Sequence, residues 1–286
     1  MSGSFVRILS CWLIFAGVAL SQSSDPIRLT LEPGHGLELR ASWEPLTDTV
    51  YRFETQYPWL AELQPAKVTA SYGAEAFRPL LPEEPVQVGD TWKVDTEALV
   101  ALLKQIHPGA TSSLHHGDGG KSGISAPGAW ACLRAAGERH AEIVLRAHVD
   151  FLLRGDGTFG ESSWMTPAQF EGRLVIDRVA GRAIAFSLAL PDSSANVDIN
   201  VGTGRGVSAD IGRIPNLELR GALETEDTTY EHEIGIEEAR SALQKKFYPL
   251  ADLTWLELPD ALAESRRTDR PMHIVVLFGS LTDESC

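Results

Sequence analysis

Thiols, imidazoles and carboxylates are the side chains able to carry redox, acid–base or metal chemistry, and in this chain they are few and scattered. Three cysteines occur among 286 residues: Cys11 inside an apolar N-terminal run, Cys132 after Trp130-Ala131, and Cys286 after Asp283-Glu284-Ser285. That is no disulfide scaffold. A thiol works through its thiolate, which a nearby cation, a helix N-terminus or a metal stabilises. Cys132 stands in an Ala-rich stretch, Trp130-Ala-Cys-Leu-Arg-Ala-Ala136, and reads as a buried small hydrophobe; for Cys286, a catalytic role does not follow from its position alone. His115-His116 with Asp118 offers metal donors, but adjacent histidines in a Gly-rich loop read as solvated. Gly117-Asp-Gly-Gly-Lys121-Ser122 imitates a phosphate loop. Five positions before Gly120, however, stands His115 where that motif needs glycine, and no strand leads in. His148 and Asp150, two apart in a strand-like run, share a face and read as a structural pair rather than an acid–base dyad. Tyr230-Glu-His-Glu233 reads as a charged edge ahead of a helix rather than a cation site. Neither a Gly-x-Ser-x-Gly elbow nor a His-Glu-x-x-His run occurs. Metal and cofactor-binding residues are therefore assigned to no position.

The elements that must position Cys286 follow from composition and punctuation. An apolar fraction of 43% supports a real core. Arg7, the apolar run Ile8 to Leu20 and the small residues Ala19 and Ser21 make residues 1–21 a secretory signal peptide, cut before Gln22. An uncleaved anchor is the rival, and the only route to a membrane. The expected location is extracytoplasmic, periplasmic or secreted. A net charge of −14 argues against nucleic acid as a partner and for plain solubility. Short strand-like runs occupy residues 22–80, and Pro82, Pro85 and Gly89 mark a boundary near Leu81. Thr96 to Ile106 reads as a helix, lid-like beside a sheet. Ala141–Arg154, Phe170–Asp177, Arg182–Leu190, Val197–Asn200 and Asp210–Leu219 alternate as sequential antiparallel strands, giving a β-rich domain over 81–224. Helices follow at Gly235–Tyr248 and Asp260–Arg267, then His273-Ile-Val-Val-Leu-Phe-Gly279, which reads as a buried strand. Helix, strand, short loop and cysteine is the order of a thioredoxin-like unit. The expected class is α+β, with residues 225–286 the first part of an incomplete thioredoxin-like domain.

Several stretches resemble the selenoprotein N family: His107-Pro-Gly-Ala-Thr111, Ser125-Ala-Pro-Gly-Ala-Trp-Ala-Cys-Leu-Arg-Ala135, Trp164-Met-Thr-Pro-Ala-Gln-Phe170, Asn196-Val-Asp-Ile199 and Asp210-Ile-Gly-Arg-Ile-Pro-Asn-Leu-Glu-Leu219. The run His273 to Cys286 is similar to the family's strand leading into its Ser-Cys-Sec-Gly redox motif. The likeness covers Leu81 onward. It implies an exported thiol/selenol oxidoreductase in which Cys286 directly precedes selenocysteine, the UGA codon being read as a stop so that the 286-residue chain is truncated and inactive. It further implies a protein or small-molecule disulfide or thiol as substrate. No Asp-x-[Asp/Asn]-x-[Asp/Asn]-Gly run with a closing Glu is present, so the EF-hand of vertebrate members is not expected here. The alternative is a non-catalytic secreted β-domain that binds a partner, with Cys286 incidental.

Overall fold

The computed structural model describes residues 25–112, 128–158, 160–222, 228–248 and 256–274. The leader expected over 1–21, the His115-His116-Asp118 group, the phosphate-loop lookalike and Cys286 lie outside the described residues. So does the expected strand after Ile274, and His273 and Ile274 belong to no element.

Alternating apolar and polar residues build most of the molecule into two antiparallel sheets. In chain order the strands are β1 (Gly36–Trp43), β2 (Thr69–Gly73), β3 (Thr91–Val94), β4 (Ala110–Thr111), β5 (Gly128–Ala136), β6 (His140–His148) and β7 (Asp150–Arg154). They continue with β8 (Ser163–Pro167), β9 (Phe170–Asp177), β10 (Arg182–Ala189), β11 (Val197–Gly202), β12 (Val207–Gly212), β13 (Leu217–Gly221) and β14 (His232–Glu233). The large sheet has the order β14-β5-β6-β9-β10-β13-β1-β2, with β3 also pairing β5, and the small one β12-β11-β8-β7-β4.

The inward phases of both sheets bury into one hydrophobic cluster. Leu39 and Trp43 from β1, Ile143 and Leu145 from β6, Phe170 and Leu174 from β9, and Val197 and Ile199 from β11 all belong to it. Phe151 of β7 joins the sheets, its ring 6.3 Å from Trp43 and 6.0 Å from Phe170. At Gly172 the strands close so tightly that a Cβ would lie 2.9 Å from both Leu145 and Leu188 side-chain carbons.

Three sequence expectations change here. Ala141–Arg154 is not one strand, because the chain leaves the large sheet after His148 and enters the small one at Asp150, with Val149 buried at the crossing. The helix expected over 96–106 is α-helical only over Thr96–Leu103 and ends in tight turns through Ile106. Asp95 caps it by accepting from the Glu97 amide at 3.0 Å. Leu99, Val100, Leu102, Leu103 and Ile106 are all buried in the main cluster, so this helix is core rather than lid. Finally, β1 and β2 are hydrogen-bonded into the large sheet beside β13, and Leu29, Leu31, Leu60, Phe77 and Leu80 enter the same core. The core is continuous across the boundary placed near Leu81.

After the sheets come two longer helices, Ile236–Phe247 and Leu258–Thr268. Gly235 sits at the N-cap of the first, where Glu237 and Glu238 in the first turn and Lys245 and Lys246 in the last suit the helix dipole. The described residues form a β-rich α/β structure; the thioredoxin-like part of the expectation falls largely outside them.

Candidate functional site

The outward phase of β5, β6 and β9 carries Trp130, Cys132 and Arg134, then Glu142, Val144, Arg146 and His148, then Glu171 and Arg173. In an ordinary antiparallel sheet this face would meet water. Instead every residue of β6 up to Ala147 is buried, because the Ile236–Phe247 helix lies across it. Ala239 and Leu243 of that helix press onto Cys132 and Val144 in a small cluster separate from the main core. Around that apolar spot the helix is held by polar contacts: Arg240 pairs with Glu171 at 2.8 Å, and the Lys246 ammonium lies 5.2 Å from the Trp130 ring centre.

Glu142 is the hub. Its carboxylate accepts from Arg134, from Arg173 at 2.6 Å and from the Tyr230 hydroxyl at 3.0 Å. Arg134 also donates to Glu233 at 3.0 Å and lies 5.3 Å from the Tyr230 ring centre. Burial pushes the Glu142 carboxyl up, but the hydrogen bonds and charges of the two guanidiniums outweigh it and hold it below its ordinary value. With all its oxygens satisfied, the group is an anionic clamp and not a proton donor. Removing one side of such a buried pair costs about 3–5 kcal/mol, so the network ties β14 and its flanking residues to the sheet.

At the other end of the helix, the His148 ring packs against Phe247 with ring centres 4.4 Å apart and planes tilted by 42°, and Arg146 lies 5.6 Å from the Phe247 ring centre. Burial, with the Arg146 charge beside it, pushes His148 down to about 3, so it is neutral at physiological pH. Cys132 is fully buried; burial, then the Asp90 and Glu238 charges, push its thiol up to about 12. That is the opposite of what a nucleophilic thiol needs. Asp198 on β11, paired across strands with Thr166 and Ile211, is pushed up to about 6 by burial.

The structure thus separates His148 from Asp150 by a change of sheet and makes Tyr230 and Glu233 members of the Glu142 network rather than cation ligands. His232 pairs across strands with Ala136. Among the described residues no group of three or more His, Cys, Asp or Glu side chains could hold a metal ion, and no helix is long and apolar enough to cross a membrane. Glu142, Arg146 and Arg173 were not singled out from sequence. Their signal was present all the same, as charged residues in one phase of strands whose other phase is wholly apolar.

No family model and no solved structure matches the chain. Curated proteins do. Selenoprotein N of Danio rerio is 26% identical over a 272-residue alignment that covers 78% of this chain and 48% of the relative. Selenoprotein N of Homo sapiens is 24% identical over a 276-residue alignment that covers 80% of this chain and 46% of the relative. These similarities support a selenoprotein N-like family for the chain. It spans about half the length of the curated relatives it matches, so the similarity to selenoprotein N speaks for that half. The likeness extends over more than three quarters of the chain, wider than the stretch from Leu81 that its motifs alone suggested.

Proposed function

We propose that this chain is the exported, sheet-bearing part of a thiol/selenol oxidoreductase in which Cys286 acts beside a selenocysteine encoded after it. The observation that carries the reading is the similarity to selenoprotein N over most of the chain, and the resemblance of Ser285-Cys286 to the start of the family's redox motif supports it. The selenolate, ionised at neutral pH, attacks a substrate disulfide and expels one sulfur as thiolate. The Cys286 thiolate then attacks the selenium of the mixed species and releases the second substrate thiolate. Two electrons have passed to the substrate and the pair is left as a selenenylsulfide, which a thiol reductant returns to the selenolate and thiolate. Residues 1–21 serve as the export signal, and the β-rich body positions the redox segment.

The test reads the codon after Cys286 first: UGA, a glycine codon and an open frame are expected. A protein extended through that position, with cysteine replacing selenocysteine, should reduce insulin disulfides, and Cys286→Ser should abolish turnover and the trapped disulfide. A well-folded extended protein with neither turnover nor a trapped disulfide overturns the reading. One observation favours the second reading, a non-catalytic binding module: Cys132, the thiol within the described residues, is buried and pushed up to about 12. That reading takes over if the extended protein is redox-inert.

A further inference from the structure

Away from the covered sheet face, a groove of about 1120 Å³ opens between the N-terminal strap at residues 29–32, the turn at residues 78–84 and β3. The strap is fixed in place by backbone hydrogen bonds between Ile27 and Val86 and by Arg78, whose guanidinium donates to the Leu31 carbonyl at 3.0 Å. The groove is apolar where Leu29, Leu31, Val86 and Trp92 line it. The indole of Trp92 is anchored by its N–H to the Leu80 carbonyl at 3.0 Å. Five carboxylates, Glu32, Glu75, Glu83, Glu84 and Asp95, also line it, against two cations, Arg78 and Lys93. Arg78 is already engaged by the strap. Arg28, outside the groove, reaches Glu84 only at 4.0 Å with both side chains largely in water, an ion pair of little worth.

Along one wall runs β3, which among the described residues pairs with β5 alone. Its opposite edge pairs with no other strand among the described residues, and such an edge accepts an extended chain as a further strand. Apolar lining, surplus negative charge and an open strand edge fit one kind of occupant. We propose that this groove binds an extended polypeptide segment in which apolar residues alternate with Lys or Arg, added as a strand to β3. The inference goes beyond the redox reading and does not depend on it.

The probe is a fluorescent octapeptide of alternating Lys and Val, titrated into the full chain by anisotropy. Binding is expected, with slower hydrogen exchange at Thr91–Val94. Glu83→Lys combined with Glu84→Lys should weaken it at least tenfold, while Glu62→Lys combined with Glu161→Lys, both exposed and outside the groove, should change it less than twofold. An alternating Glu and Val peptide, or the Lys and Val peptide N-methylated at alternate amides, should bind at least tenfold more weakly. Equal affinity for the N-methylated probe, or unchanged affinity in the Glu83/Glu84 variant, overturns the proposal. So does self-association that protects Thr91–Val94 without peptide, which would assign the edge to a second copy of the chain.

Discussion

Two single residues, His148 on the covered face and Asp198 on β11 of the small sheet, set a pH dependence with two opposite limbs. His148 has a folded pKa of about 3, below its unfolded value near 6.5. Its contribution to stability is present above 6.5 and is lost as pH falls towards 3, because protonation is easier in the unfolded chain. Asp198 behaves in the other sense: its folded pKa of about 6 lies above the unfolded value, so stability is present below about 4 and lost as pH rises through 6. Denaturant unfolding as a function of pH separates them. His148→Gln should flatten the acid limb, removing a loss on the order of 2 kcal/mol by pH 4.5. Asp198→Asn should raise the melting temperature at pH 7.5 and leave it unchanged at pH 3.5. An Asp198→Asn protein less stable than the parent at pH 7.5 would show that the carboxylate has a stabilising partner after all.

Among the elements, the Ile236–Phe247 helix converts an outward sheet face into an interior. Its apolar grip is narrow, with Ala239 and Leu243 meeting Cys132 and Val144, and the rest is ion pairs and ring contacts. Leu243 is 1% exposed, so Leu243→Ala should cost about 2–5 kcal/mol of docking. Cys132 beneath reports the outcome. In the parent its alkylation by iodoacetamide at pH 8 should be undetectable over hours; Leu243→Ala should accelerate it at least tenfold while the circular dichroism of the sheets persists. Unchanged protection would mean that the polar contacts alone hold the helix down. The amphipathic spacing of this helix was legible in the sequence, and its bounds agree within a residue at each end, since Gly235 and Tyr248 are its caps. Its placement was not legible. A helix of this composition binds any apolar spot of matching size, and the spot exists only once β5 and β6 pair in register.

For the molecule as a whole, the shared core decides what can fold alone. Residues 81–224, read from punctuation as a domain, would lack β1 and β2, open the edge of β13 and lose Leu39, Trp43, Phe77 and Leu80 from the common cluster. Four large core side chains contribute about 1.5–3 kcal/mol each by burial, comparable to the entire net stability of a domain. A fragment of residues 81–224 should therefore show no cooperative melting transition, whereas residues 25–248 should melt cooperatively. A sharp calorimetric transition for the shorter fragment would count as an independent domain and against a shared core.

What the amino-acid order determined by itself was local: the strand runs at Phe170–Asp177 and Arg182–Leu190, the two late helices, the acidic balance, and family motifs such as Asp210-Ile-Gly-Arg-Ile214. Each depends on residues near one another in the chain, where period two, helical spacing and Gly or Pro breaks are direct consequences of backbone geometry. Only the tertiary structure decided that the run through His148 and Asp150 changes sheets, that residues 36–43 pair with 217–221, and that Glu142, Arg134, Arg173 and Tyr230 meet. Those outcomes rest on pairings between residues as far as 180 positions apart, Arg40 with Arg220 among them. A charged residue in a strand carries no mark of whether water or a helix will cover it. Here the answer came from where the Ile236–Phe247 helix could bury Leu243, a packing choice that no local pattern encodes.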